Sequence, residues 1–182
     1  EDEYINTVVI VTRHNSHADL VCQALRAGKN TFVEKPLAIN QEELADVKAA
    51  YSDSLKSDTP SRLIVGFNRR FAPQTQKIKE LIDPIKAPKS FIMTVNAGNI
   101  PLDHWTQDVN VGGGRIVGEA CHFVDLMRFL AGNEIVSVQA RRIGDSDAID
   151  VTEDKATILL GFADGSFGSI HYYANGAPSY PK

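Results

Sequence analysis

Cysteine is scarce, with two in 182 residues, Cys22 and Cys121. They do not form a close-spaced pair, and each falls inside a helical pattern. A disulfide framework is therefore excluded, and buried reduced thiols in a cytoplasmic protein are the expectation. No histidine or cysteine pair has ligand spacing on one face, so no metal is expected. Long apolar runs are also missing. None approaches the roughly 20 residues that span a bilayer, which excludes the membrane as a partner. The acidic start Glu1-Asp2-Glu3-Tyr4 is unlike a signal peptide. A charge of one sign is lacking as well: the formal net charge is −4, with both signs mixed along the chain. Without a basic stripe to track phosphates, nucleic acid is not an expected partner.

What is present is the make-up of a packed globular chain, 43% hydrophobic and 23% charged. The first third alternates short apolar runs with helical spacing. Residues 7–12 (TVVIVT) form a β-branched run with no polar interruption, as expected of a strand covered on both faces. Ser16 is placed to cap a helix in which Ala18, Val21, Cys22 and Leu25 recur, and Gly28 to end it. Residues 30–34 (NTFVE) predict a second strand, 41–51 a second helix and 63–67 a third strand. Strand, helix, strand, helix, strand is the pattern of a parallel sheet with right-handed crossovers.

From Asn68 the rhythm changes. A helix is predicted over 73–82, a strand over 91–96 and an amphipathic helix over 116–130, followed by strands over 135–142, 156–162 and 166–173. Ala163-Asp164-Gly165 is a hairpin signal between the last two. Strands in hairpins with one helix predict an antiparallel sheet. The expected division is a parallel α/β domain over 1–68 and an α+β domain over 69–182.

Three clusters carry possible chemistry. Thr12-Arg13-His14-Asn15-Ser16-His17 lies where a parallel strand ends and a helix begins, the place where open α/β sheets bind ligands. On spacing alone a polar loop with a capping serine is the commoner explanation. Glu34-Lys35-Pro36 sets a lysine one residue past a strand, with proline biasing it towards an extended backbone. A solvated Glu-Lys pair is the usual meaning of such a step. Gly112-Gly113-Gly114 precedes Glu119, His122 and Asp125, spaced three apart on a helix, where either carboxylate could set the tautomer of the histidine. A lone histidine on an apolar helix is more often a hydrogen-bonded core residue.

Taken in order, Thr12 with His17, Glu34-Lys35-Pro36, GFNRRF at 66–71, and GGG followed by His122 and Asp125 resemble the glucose-fructose oxidoreductase, inositol dehydrogenase and MocA family. The resemblance runs from Thr7 to about Tyr173. It implies the C-terminal half of a Rossmann-type parallel sheet followed by an open antiparallel-sheet substrate domain. It also implies hydride transfer between NAD or NADP and a hydroxyl-bearing carbon of a sugar, nucleotide sugar or cyclitol. By position, Lys35 would bind substrate and transfer the proton, with His122 beside it and Glu119 as a further catalytic group. Thr12, Arg13, His14, His17, Glu34, Lys35 and Arg69 would line the cofactor. Asn96, Asn99, Trp105 and Asp125 would meet the substrate. A homo-oligomer through the open sheet is implied too. Within the family, the wording of GFNRRF and GEACHF most resembles the oxidoreductase half of bidomain enzymes of polysaccharide biosynthesis.

The sequence departs from the family pattern at two places. Gly118 stands where an aspartate usually precedes the helix histidine by four residues, with Glu119 following it, and Arg13-His14 replaces a common Pro-Asn pair. No G-x-G-x-x-G occurs, although a complete Rossmann unit uses that turn for the pyrophosphate. The expectation is an enzyme fragment that binds dinucleotide poorly by itself. The alternative, left open by Gly118, is a non-catalytic sugar-binding or regulatory module of the same fold.

Overall fold

The computed structural model describes residues 2–177 and 179. They form two units. One contains the chain up to Gly66 together with Trp105–Gly113, and the other contains Phe67–His104 and the residues from Gly114 onward.

In the first unit, β1 (Thr7–Ile10), β2 (Asn30–Val33) and β3 (Leu63–Val65) make a parallel sheet in the order β1-β2-β3. Its register pairs Ile10 with Val33 and Val33 with Val65, which brings the carboxyl ends of β1 and β2 to one edge. The crossovers are α1 (His17–Arg26) and α2 (Gln41–Ser54). Ile10, Val21, Cys22, Leu25, Val33, Val47 and Ala50 form the core between helices and sheet. Burying a side chain the size of valine or leucine contributes about 1.5–3 kcal/mol, which decides the face each helix presents. At the start of α2, Asn40 Oδ1 accepts from Glu43 N at 2.9 Å while Glu43 Oε2 accepts from Ile39 N at 2.8 Å, a reciprocal cap.

Two expectations for this unit need correcting. Ser16 does not cap α1 with its side chain. A 3-10 turn, His14–Ser16, precedes the helix and sends the hydroxyl back to donate to Arg13 O at 2.9 Å. The first strand is also covered on one face rather than two. Val8 and Ile10 pack against the helices, whereas Val9 on the opposite face is 63% exposed. Apolar β-branched runs record strand preference on either face, so the pattern alone could not separate the two cases.

In the second unit, α3 (Pro73–Ile82) precedes β4 (Ser90–Asn96), and α4 (Cys121–Ala131) precedes β5 (Ile135–Arg142), β6 (Lys155–Phe162) and β7 (Phe167–Tyr173). The sheet order is β4-β7-β6-β5. β5, β6 and β7 are antiparallel as expected, and β4 joins the edge parallel to β7, which makes the sheet mixed. The short turn fixes the antiparallel part: Gly165 takes φ +85°, and Asp164 accepts from Ser166 N at 3.0 Å and from its hydroxyl at 2.9 Å. β4 is followed by a long connection, irregular at first and then wound into the π turn and α4, and a connection of that length permits a parallel neighbour. Ile170 and Tyr172 of β7, with Ile158 and Leu160 of β6, form a buried cluster with Met127 of α4. The alternate residues Ile92, Leu159 and Tyr173 are exposed.

The helix expected over 116–130 is interrupted. Ile116–Ala120 winds as a π-helical turn before α4 begins at Cys121. Gly118 and Ala120, both buried, are small enough to let the wider turn pack. One helical periodicity therefore does not run through Glu119, His122 and Asp125.

Candidate functional site

The first unit collects six of the candidates at the carboxyl edge of its sheet, because parallel strands in register end together. His17 is fully buried there. Its Nδ1 lies 2.8 Å from Pro36 O and its Nε2 3.0 Å from Thr12 O, so one ring ties the segment after β1 to the segment after β2. Carbonyls only accept; a neutral imidazole donates to one of them and an imidazolium to both. Thr12 and Arg13 are exposed, and the Thr12 hydroxyl meets Ser16 Oγ at 2.6 Å. Glu34 and Lys35 are half-buried, with Lys35 N donating to Glu34 Oε2 at 3.3 Å.

His14 is buried against the returning segment Trp105–Gly113. Its Nδ1 is 2.7 Å from Gly112 O, and its ring meets Trp105 edge-on at a centroid distance of 4.8 Å. Arg13 lies with its guanidinium carbon 5.6 Å from the Trp105 ring centroid. Gly112 is required here by space: a Cβ on it would sit 2.7 Å from Trp105 O and closer still to the Thr106 backbone. Trp105, expected to meet substrate, thus belongs with the strand-end candidates Arg13 and His14.

In the second unit the GFNRRF segment runs beside the π turn and α4. The Phe67 ring stands edge-on to His122 at 6.1 Å, Arg69 Nη2 donates to Glu119 Oε1 at 3.5 Å, and Arg70 forks onto Asp125. Arg70 Nε reaches Asp125 Oδ2 at 2.6 Å, and that hydrogen bond raises the guanidinium above its ordinary range. Asp125, expected to bind substrate, is engaged by Arg70 with its side chain only 8% exposed. His122 is buried, and Arg69 also lies 4.6 Å from the Phe123 ring centroid. Asn96 presses on Gly176, where any side chain would collide with it, and Asn99 lines a cavity near Asn175 and Lys155.

Several site residues escaped the sequence reading. Arg70 was signalled only by standing next to Arg69. Arg115 donates to the Tyr172 hydroxyl at 2.9 Å. Burial pushes the Tyr172 phenol up to about 12; the Arg115 cation opposes this shift, and the Glu119 and Asp154 carboxylates add to it. Among the described residues, no group of three or more His, Cys, Asp or Glu is placed to hold a metal ion, and no helix is long and apolar enough to cross a membrane.

Comparison with known proteins covers both units. A family model described as an oxidoreductase family with an NAD-binding Rossmann fold (GFO_IDH_MocA) matches residues 1–56, and the GFO/IDH/MocA C-terminal domain matches residues 75–181. Myo-inositol 2-dehydrogenase of Thermotoga maritima is 30% identical over 180 residues, covering 93% of this chain and 50% of that protein. Inositol 2-dehydrogenase of Rhizobium meliloti is 33% identical over 171 residues, covering 88% of this chain and 48% of that protein. Among solved structures, levoglucosan dehydrogenase in complex with NADH and levoglucosan superposes with a TM-score of 0.79 at 27% identity, over 98% of this chain and 50% of that one. The chain spans about half the length of the curated relatives it matches. The parallel sheet, the mixed sheet and these matches agree that the chain belongs to the Gfo/Idh/MocA family of oxidoreductases.

Proposed function

We propose that this chain forms part of an enzyme that moves a hydride between NAD or NADP and a hydroxyl-bearing carbon of a sugar, nucleotide sugar or cyclitol. The observation that carries this reading is the 30–33% identity with two inositol 2-dehydrogenases along 88–93% of the chain. That identity favours a catalyst over a module that only binds sugar.

The bound dinucleotide would supply the hydride acceptor or donor. The residues present fit part of it: Thr12 and Arg13 are exposed at the sheet edge, with the half-buried Glu34-Lys35 step just past the end of the neighbouring strand. His14 and His17 support that edge from beneath, since both are buried and bonded to backbone carbonyls. Lys35 has the chemistry to hold the substrate hydroxyl. In its neutral form it takes the hydroxyl proton, and as an ammonium it returns it in the reverse direction. On the second unit, His122 has the chemistry of a general acid or base, and Arg69 holds Glu119, three residues earlier in the chain. The exposed sheet face with Ile92, Leu159 and Tyr173 suits contact with a second copy, which light scattering on the protein would test.

The test of function is steady-state cofactor reduction by the natural full-length protein, with NAD and NADP against a panel of inositols, sugars and nucleotide sugars. Reduction with a member of that panel is the expected result. Calorimetric binding of a sugar without reduction of either cofactor would favour the non-catalytic module.

A further inference from the structure

Residues 105–113 belong to the first unit, although the chain on either side of them belongs to the second. They fold on themselves around one acceptor. Asp108 O receives Val111 N at 3.2 Å, Gly112 N at 2.7 Å and Gly113 N at 3.1 Å, and Asp108 Oδ1 receives Asn110 N at 2.8 Å. Such local bonds give the segment a shape of its own without fixing where it lies. The residues just past β1 tie it to the sheet. Asn15 N donates to Val111 O at 3.1 Å, and His14 Nδ1 lies 2.7 Å from Gly112 O. A carbonyl only accepts, so Nδ1 carries the proton of this bond. The same ring meets Trp105 edge-on, so one imidazole holds the segment near both of its ends. His14 is only 8% exposed, which leaves it to act through the segment rather than by touching a ligand.

We propose that His14 is a positioning residue: it latches residues 105–113 to the carboxyl edge of the parallel sheet before the dinucleotide arrives, and so raises the affinity for it. That edge is where an open α/β sheet takes its ligand, and the exposed Thr12 and Arg13 stand on it beside the latch. The Arg13 guanidinium carbon lies 5.6 Å from the Trp105 ring centroid, so the latched segment also supports an exposed cation at that edge. A segment that orders only when ligand binds costs conformational entropy at that moment, and one already fixed does not. Loss of the latch therefore appears as weaker binding more than as slower chemistry. The inference rests on the oxidoreductase reading for the identity of the ligand.

The test uses the natural full-length protein. Calorimetry measures binding of NADH and of NADPH, and amide hydrogen exchange at Asn15 and residues 105–113 is followed without ligand. His14→Phe keeps a ring beside Trp105 and removes the donor, whereas His14→Asn offers an amide N–H close to the place of Nδ1. In His14→Phe the segment should exchange faster while the melting temperature stays within a few degrees of the unaltered protein. The dinucleotide should bind roughly tenfold more weakly, and its KM should rise by more than kcat falls. His14→Asn should recover most of that affinity. Should His14→Phe not fold, His14→Ala carries the same test. The proposal is overturned by unchanged affinity in a variant whose segment has loosened, by unchanged exchange in the variants without the donor, or by an affinity loss in His14→Asn as large as in His14→Phe. Equal binding by variant and unaltered protein would leave the oxidoreductase reading in place. An unaltered protein that binds neither dinucleotide would overturn that reading, and the proposal with it.

Discussion

The Arg70–Asp125 pair offers the sharpest stability test, because it decides what holds the carboxylate on α4. The Asp125 side chain is 8% exposed and that of Arg70 is 31% exposed. Removing one partner of a fully buried pair costs about 3–5 kcal/mol, because a charge is left without compensation. Water reaches the Arg70 end, so the expected cost of Arg70→Met is smaller, about 2–3 kcal/mol. Methionine retains a stem near Phe129, whose ring centroid lies 5.6 Å from the guanidinium carbon, so the loss is chiefly electrostatic. Asp125→Asn keeps the shape and one acceptor but loses the charge assistance, for about 1–2 kcal/mol. The double variant leaves no buried charge. It should be less destabilised than the sum of the singles by at least about 1 kcal/mol. Urea unfolding followed by circular dichroism on the four proteins closes the cycle. Additive losses below about 0.5 kcal/mol each, the range of an exposed pair, would refute the reasoning and leave Asp125 available to substrate.

Tyr172 predicts an alkaline weakness. Its folded pKa is raised from 10.0 to about 12, so the neutral phenol is favoured inside, and the stability it lends is complete below pH 10 and drains between pH 10 and about 12. The loss should reach about 2–3 kcal/mol across that window; Tyr172→Phe should lack this part of the fall, and identical pH profiles would contradict the assignment. Gly112→Ala forces a Cβ against the Trp105 and Thr106 backbone and should cost about 1–3 kcal/mol, with a shifted emission from Trp105, the single tryptophan; unchanged melting and emission would show that the segment yields. Glu119→Gln in the full-length protein should lower turnover at an unchanged melting temperature if the Arg69-held carboxylate assists proton transfer, and normal turnover would leave that carboxylate no part in the chemistry.

The parallel sheet was legible because β-branched runs alternate with helical spacing and Gly28 ends α1. The caps were not: the Ser16 hydroxyl turns back to Arg13 O, and the cap that forms is Asn40 with Glu43 at the head of α2. The hairpin at Asp164-Gly165 was as plain as the parallel sheet. The parallel pairing of β4 with β7 was not, since sheet order depends on where a long connection returns the chain. The π turn escaped for a related reason: Gly118 and Ala120 permit it, and apolar spacing looks much the same on either side. The engagement of Glu119 and Asp125 by Arg69 and Arg70 joins positions about 50 residues apart, which no local periodicity encodes. The tie from His14 to Gly112, 98 residues away, is of the same kind.

The central claim is that Lys35 carries proton transfer in a nicotinamide-dependent oxidation of a hydroxyl group. Its most direct test is the rate of cofactor reduction, followed by absorbance, in the natural full-length protein and its Lys35→Met variant with a substrate found in the inositol and sugar panel. The account predicts a loss of turnover of about 10²–10⁴-fold with dinucleotide affinity within a few-fold of the parent value. Turnover in Lys35→Met equal to that of the unaltered protein would contradict it.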